Sequence, residues 1–154
     1  VSQPQLGFTR TKDVQAPNRG TPKSAGVDFY VPDTFNDGHP LTIRPGEHVK
    51  IEMGIHVRIP SGFALILSLD KSGIGAKGIK VTGGVIDEDY QGEIMLFFYN
   101  IGQEPQLIKP GQKIAQGLLI PVLYADVVEY EYKTDLYADH KSERGEGGFG
   151  STGV

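Results

Sequence analysis

EHVKIEMGIHVRIP, residues 47–60, decides the fold class of this chain. Val49, Ile51, Met53, Ile55, Val57 and Ile59 recur at every second position. Side chains of an extended backbone point alternately to opposite faces, so this spacing gathers all six on one face, the signature of a half-buried β-strand. Outward from this stretch, AGVDFYV (25–31), FALILSL (63–69), IKVTGGVI (79–86), GEIMLFFYN (92–100), QLIK (106–109), IAQGLLIPVLY (114–124) and VVEYEY (127–132) read as further short strands. DTFNDGHP (33–40) reads as a turn, and the polar run TRTKDVQAPNRGTPKS (9–24) as an exposed loop. A 3.6-residue period persists nowhere beyond a turn or two, and there is no internal repeat. Roughly ten short strands separated by regular turn signals predict an all-β sandwich or jelly roll. QGLLIPVLY (116–124) is apolar on both strand faces and suits a subunit interface.

Composition narrows the partners. The chain has 154 residues, a length that suits one domain. Its 21 Gly and 10 Pro supply the turns an all-β chain needs. A formal net charge of −4 argues against a broad nucleic-acid surface but leaves room for a small anion held by local groups. There is no cysteine, hence no disulfide framework or thiolate metal site, which fits a cytoplasmic setting. No apolar run is long enough to span a membrane, and no charged-then-apolar leader opens the sequence. Val1 in place of Met is compatible with a processed or trimmed start.

Four stretches carry candidate chemistry. In GGVIDEDYQGEI (83–94), three acids sit between two apolar strands. They read either as a solvated hairpin tip or as a carboxylate held at a strand end to activate water or bind a divalent ion. Asp87 directly follows an apolar pair that could fix it, whereas Glu88 and Asp89 fall in the tighter turn. DKSGIGAKG (70–78) combines a cation, a hydroxyl and successive glycine N–H groups. It is an ordinary loop or an anion nest, and it lacks the order of a P-loop. Asp28 lies inside a strand, an unusual place for an acid. It either pairs with a nearby Lys or Arg or sits beside a metal. RGEGGFGSTGV (144–154) cannot fold alone, because glycine loses the most backbone freedom on ordering and one Phe cannot offset that. A ligand offering both a phosphate chain and an aromatic face would make ordering favourable, and a nucleoside triphosphate offers both. The four His residues show no metal-ligand spacing.

Together these stretches resemble the trimeric dUTP pyrophosphatase (dUTPase) family. AGVDFY (25–30), DKSGIGAKG (70–78), GGVIDEDYQGE (83–93), GQKIAQ (111–116) and RGEGGFGSTG (144–153) look like its five motifs, in order over nearly the whole chain. The resemblance implies a jelly-roll subunit of the β-clip type, with a core over residues 1–133 and a flexible arm over 134–154. It also implies a homotrimer with sites shared between subunits, and Mg²⁺-assisted hydrolysis of dUTP to dUMP and pyrophosphate.

Position by position, Asp87 matches the catalytic aspartate, Tyr90 the ring that packs on deoxyribose, and Gly84 and Met95 the hairpin backbone that reads uracil. Asp28 matches the acid associated with the magnesium-bound triphosphate. Lys71, Ser72, Gly73 and Gln116 match phosphate contacts. Arg144, Phe149, Gly150, Ser151 and Thr152 match the closing arm, with Phe149 stacking on the base. One departure stands out: Lys71 replaces the usual Arg, and a lysine is a point charge without the planar fork. A sister family on the same fold, the dCTP deaminases, carries a catalytic Glu two residues before the Tyr of FYN, where this chain has Phe97. A binding or regulatory module with a partner protein, and a purely structural jelly roll, are the readings from other classes.

Overall fold

The computed structural model describes residues 3–150 and residue 153, with Ser68, Leu69 and Asp70 described by backbone alone. The chain divides into two compact units, Val1–Leu123 and Tyr124–Val154.

The first unit is built of twelve strands: β1 (Gly7–Arg10), β2 (Asn18–Arg19), β3 (Val27–Tyr30), β4 (Leu41–Ile43), β5 (His48–Glu52), β6 (Ile55–Arg58), β7 (Phe63–Asp70), β8 (Ile79–Thr82), β9 (Val85–Ile86), β10 (Met95–Asn100), β11 (Gln106–Ile108) and β12 (Lys113–Pro121). A single helical turn, α1 (Ser72–Gly75), follows β7. The largest sheet runs β2-β3-β12-β7-β9, a second runs β5-β10-β8, and β1-β6 and β4-β11 form two-stranded ribbons. Every pairing is antiparallel. Register slips at two places in β12, between Lys113 and Ala115 against β3 and between Gln116 and Leu118 against β7. Such bulges bend a strand locally and strengthen its twist. The fold is thus the all-β jelly roll the sequence predicts.

The alternating stretch is interrupted, yet its inward face survives. Gly54, at φ +69°, turns the chain between β5 and β6. Ile51, Met53, Ile55, Val57 and Ile59 all remain buried, and Val49 packs partly against them. Phe29, Leu65, Leu67, Leu96 and Phe98 are among the other residues of the core. The turn over 33–40 contains Asn36 and Asp37 at positive φ, a conformation these two residues tolerate better than other non-glycine types. The buried amide of Asn100 is satisfied, donating to the carbonyls of Ile43 and Glu104 at 2.8 Å each.

Two expectations are corrected. The polar run 9–24 is not all loop. It contains the end of β1 and all of β2, whose exposed edge positions carry no hydrophobic signal. The alternating VVEYEY stretch (127–132) forms no strand, and Val127, Val128, Tyr130 and Tyr132 are exposed. A strand needs a neighbour for its backbone groups, and alternation alone does not supply one. The second unit contains one further helical turn, α2 (Lys133–Leu136), and an ion pair between Lys133 and Glu146.

The hairpin root that leads to Asp87 is tight. A Cβ added at Gly83 would lie 2.3 Å from Leu96 Cδ2 and 2.9 Å from the Leu67 carbonyl oxygen. The leucine methyl could move aside, but the carbonyl belongs to the β7 backbone. Gly83→Ala is therefore expected to lower stability by about 1–3 kcal/mol, read as a drop in the urea midpoint at unchanged slope.

Candidate active site

Two clusters form within the first unit. The first gathers around Asp28, which β3 buries to 3 % exposure. A buried carboxylate needs counter-charge, because leaving water is costly for an ion. Lys71, at the start of α1, places its ammonium 2.7 Å from Asp28 Oδ1. That oxygen takes no aligned hydrogen bond, so the contact is one of charge rather than direction. Lys113, on β12, stands 3.4 Å from Oδ2, with its ammonium 6.0 Å from the centre of the Tyr30 ring. Asp28 faces Gln116 directly in the β3–β12 register. The Gln116 side chain lies over Gly26, where an added Cβ would come within 2.4 Å of Oε1. The lysine pairing, one of the two sequence readings of Asp28, is present.

Beside this cluster, Ser72 and Gly73 are exposed at the first turn of α1, and buried Ile74 anchors the turn to the core. A Cβ at Gly73 would meet no atom within 4 Å, so the space over this backbone is open. The first amides of any helix have no partner within it. Two ammoniums, a hydroxyl and open main chain make a surface suited to phosphate oxygens. As a magnesium site the cluster offers one carboxylate, and no group of three His, Asp or Glu able to hold a metal occurs among the described residues. That fits a metal held mainly by substrate phosphates and water, the usual arrangement for Mg²⁺.

The second cluster is the hairpin between β8 and β10. Gly84 turns the chain at φ +71°, and its carbonyl accepts the Leu67 N–H at 3.0 Å. The chain then lends two residues to the edge of the large sheet as β9. Asp87 follows at once and is exposed. The turn is closed by Tyr90 N–H donating to the Asp87 carbonyl at 3.1 Å. The Tyr90 hydroxyl donates to the Glu93 carbonyl at 2.7 Å. Glu88 Oε1 accepts the Gly62 N–H at 3.4 Å. Met95, at the start of β10, is 41 % exposed.

The two clusters are far apart. Ile86 pairs with Leu65 on one side of β7, and Gln116 pairs with Leu69 on the other. Asp87 therefore lies level with residue 64 and Asp28 level with residue 69. Five residues of extended chain span roughly 17 Å. Arg144, Phe149 and Gly150 belong to the second unit. There the Arg144 guanidinium donates to the Gly147 carbonyl, and Phe149 is fully exposed at φ +50°. Ser151 and Thr152 lie outside the described residues. Lys113 was missed as a site residue by sequence reasoning. Its place in GQKIAQ, three residues before Gln116, was the available signal.

Residues 12–153 match the family model described as dUTPase. The deoxyuridine 5'-triphosphate nucleotidohydrolase of Alcanivorax borkumensis is 36 % identical over 157 residues, covering 94 % of this chain and 93 % of the relative. That of Ralstonia nicotianae is 40 % identical over 143 residues, covering 90 % and 89 %. The mitochondrial protein of Homo sapiens is 36 % identical over 151 residues; the match takes in 97 % of this chain but 55 % of that longer protein. Among solved structures, a variant of the Staphylococcus bacteriophage 80alpha dUTPase with dUpNHpp superposes at a TM-score of 0.79 and 24 % identity, covering 97 % of this chain and 99 % of the other. A mutant dUTPase of phage phi11 of S. aureus, with a structural Mg(II) ion, gives 0.71 and 19 %, covering 84 % and 99 %. At these identities the structural likeness establishes the fold.

The Asp28 cluster predicts unequal costs for its two lysines. Lys71→Met is expected to destabilise by about 1–3 kcal/mol, since it strips the closer partner from a buried charge. Lys113→Met should cost less than about 1 kcal/mol, its ammonium being more distant and more solvated. The double variant should lose more than the sum, having left the carboxylate with neither lysine. A double-mutant cycle by urea denaturation reads the coupling.

Proposed function

The chain belongs to the dUTPase family, and from that membership we propose that it hydrolyses dUTP to dUMP and pyrophosphate, working as a homotrimer whose three sites are each shared between copies. Such an enzyme limits uracil incorporation into DNA and supplies dUMP for thymidylate synthesis. The observation that carries the shared site is the separation along β7. Asp87 and the Asp28 cluster of one chain stand too far apart to serve one triphosphate, so the hairpin of one copy works with the phosphate cluster of another. The half-buried apolar run Leu118–Leu119–Ile120 supplies surface for that association.

In this reading Asp87 orients a water molecule and takes its proton as the oxygen attacks the α-phosphorus. A P–O bond forms to the incoming oxygen, the bond from the α-phosphorus to the bridging oxygen breaks, and pyrophosphate leaves with the electron pair. An exposed carboxylate at a strand end is open to an incoming water molecule. The Tyr90 ring covers the deoxyribose and leaves no space for a 2′-hydroxyl. Main-chain groups near Gly84 and Met95 read the uracil edge, a discrimination that gains strength because a wrong base leaves polar groups unpaired. Lys71, Ser72, Gly73 and Gln116 hold the phosphate chain. Asp28 is the residue that would hold Mg²⁺, which supplies charge neutralisation on the triphosphate when bound. Arg144, Phe149, Gly150, Ser151 and Thr152 close over the nucleotide from a third copy, excluding water and fixing the chain in line.

Pyrophosphate release should be seen from dUTP and be far slower from dTTP, dCTP and UTP; a parent that leaves dUTP intact rejects the reaction. Asp87→Asn should lower kcat by about 10²–10⁴. Ammonia from dCTP would transfer the chain to the sister deaminases. Lys71→Arg is expected to raise turnover or affinity by restoring a two-pronged phosphate contact. Steady-state kinetics that match the parent would show the fork to be irrelevant here.

A further inference from the structure

The hairpin that carries Asp87 and Tyr90 is fastened at its base as well as through Glu88. Ile94 N–H donates to the Ile55 carbonyl at 2.8 Å, and Met53 N–H donates to the Ile94 carbonyl at 2.9 Å. His56 Nδ1 lies 2.8 Å from the Gln91 carbonyl. At the centre stands Glu93. Its Oε2 accepts the Gly54 N–H at 2.8 Å and pairs with the Lys12 ammonium at 3.1 Å. The same ammonium reaches Glu52 Oε2 at 3.1 Å. The Lys12 stem lies across bare backbone: a Cβ at Gly54 would be 2.8 Å from Lys12 Cβ. Thr11 N–H donates to the Gly54 carbonyl at 2.8 Å, so the N-terminal segment is tied into the same corner.

This pair stays charged. Burial pushes the Glu93 carboxyl up, but the hydrogen bonds from Lys12 and Gly54 outweigh it and hold it below the usual carboxylate range. Burial likewise pushes the Lys12 ammonium down, and its bonds to Glu93 and Glu52 leave it above the ordinary lysine value. Residue 93 then acts twice. Its carboxylate is pinned from two sides, while its carbonyl receives the Tyr90 hydroxyl at 2.7 Å. The Tyr90 ring rests over Gly92, where an added Cβ would fall 2.5 Å from Tyr90 Cζ. Tyr90 is 39 % exposed, so its hydroxyl bond to residue 93 is a main tether of the ring.

We infer that Glu93, held by Lys12 and the Gly54 amide, is a positioning residue that sets the placement of the Tyr90 ring and through it the discrimination between deoxyribo- and ribonucleoside triphosphates. The inference rests on the role proposed above for Tyr90. Glu93 and Lys12 act through that ring, and a shift of about 1 Å in a positioning group can cost up to a hundredfold.

The test compares kcat/KM for dUTP and UTP in the parent, Glu93→Ala, Glu93→Gln, Lys12→Met, Lys12→Arg, Tyr90→Phe and the Glu93→Ala/Tyr90→Phe double variant. Glu93→Ala should narrow the dUTP preference about tenfold or more, mainly through KM. Tyr90→Phe, which loses the hydroxyl anchor, should narrow it similarly, and the double variant should narrow it no further. Glu93→Gln keeps an oxygen for Gly54 but loses the ion pair, and should fall between Glu93→Ala and the parent. Lys12→Arg should recover what Lys12→Met loses. An undiminished preference in folded Glu93→Ala, or additive losses in the double variant, would overturn the positioning role and leave the proposed reaction standing. If Glu93→Ala fails to fold, Glu93→Gln and Lys12→Met decide the matter by the same ratio. A parent that cleaves dUTP and UTP alike, or neither, overturns the reading of Tyr90 and this inference together.

Discussion

Strand β7 is extended for eight residues, and an extended chain cannot bring its two ends together. Much of the site architecture follows from that stiffness. On one edge β7 receives β9 and so fixes where Asp87 emerges. On the other it receives β12, which presents Gln116 opposite Asp28. Its C-terminal end leads into the turn bearing Lys71 and Ser72. In the proposed shared site, a rigid spacer of this kind makes association of copies a condition for chemistry. It also allows each half of the site to be held by its own packing before a nucleotide arrives, the state in which preorganised groups act best.

The two halves are held by different physics. The phosphate half rests on a buried charge. Asp28 is shielded from water, and two ammoniums compensate it. The hairpin half rests on main-chain hydrogen bonds and one ion pair, with few apolar contacts beyond Ile86 and Ile94. The first arrangement favours strong electrostatics; the second favours shape, which is what the role proposed for the Tyr90 ring requires.

Much of the fold was legible because burial and period coincide in strands such as β5, β6 and β8. The turn over 33–40 announced itself through Asn, Asp and Gly. What escaped were edge elements and long-range pairings. β1 and β2 are short, and apart from the exposed Phe8 they carry no large apolar residue, so no alternating pattern marks them. The 127–132 stretch has the alternation of a strand without a strand to pair with in its own chain. In the site, the motif positions could be named from local order alone. The Lys113 contact and the Lys12–Glu93 pair could not, since Lys12 and Glu93 lie 81 positions apart in the sequence and meet only through the corner at Gly54.

Among the described side chains, the Asp28 cluster holds two ammoniums against one carboxylate, on a chain whose formal charge is −4. A polyanion approaching from a distance meets an unfavourable field, and attraction begins only within about one Debye length, roughly 8–10 Å at physiological ionic strength. Added salt screens the distant repulsion and the near attraction together. At the proposed phosphate site, encounter with the nucleotide is therefore expected to be governed by local geometry rather than by long-range steering, with an ionic-strength dependence muted compared with a protein of uniformly basic surface.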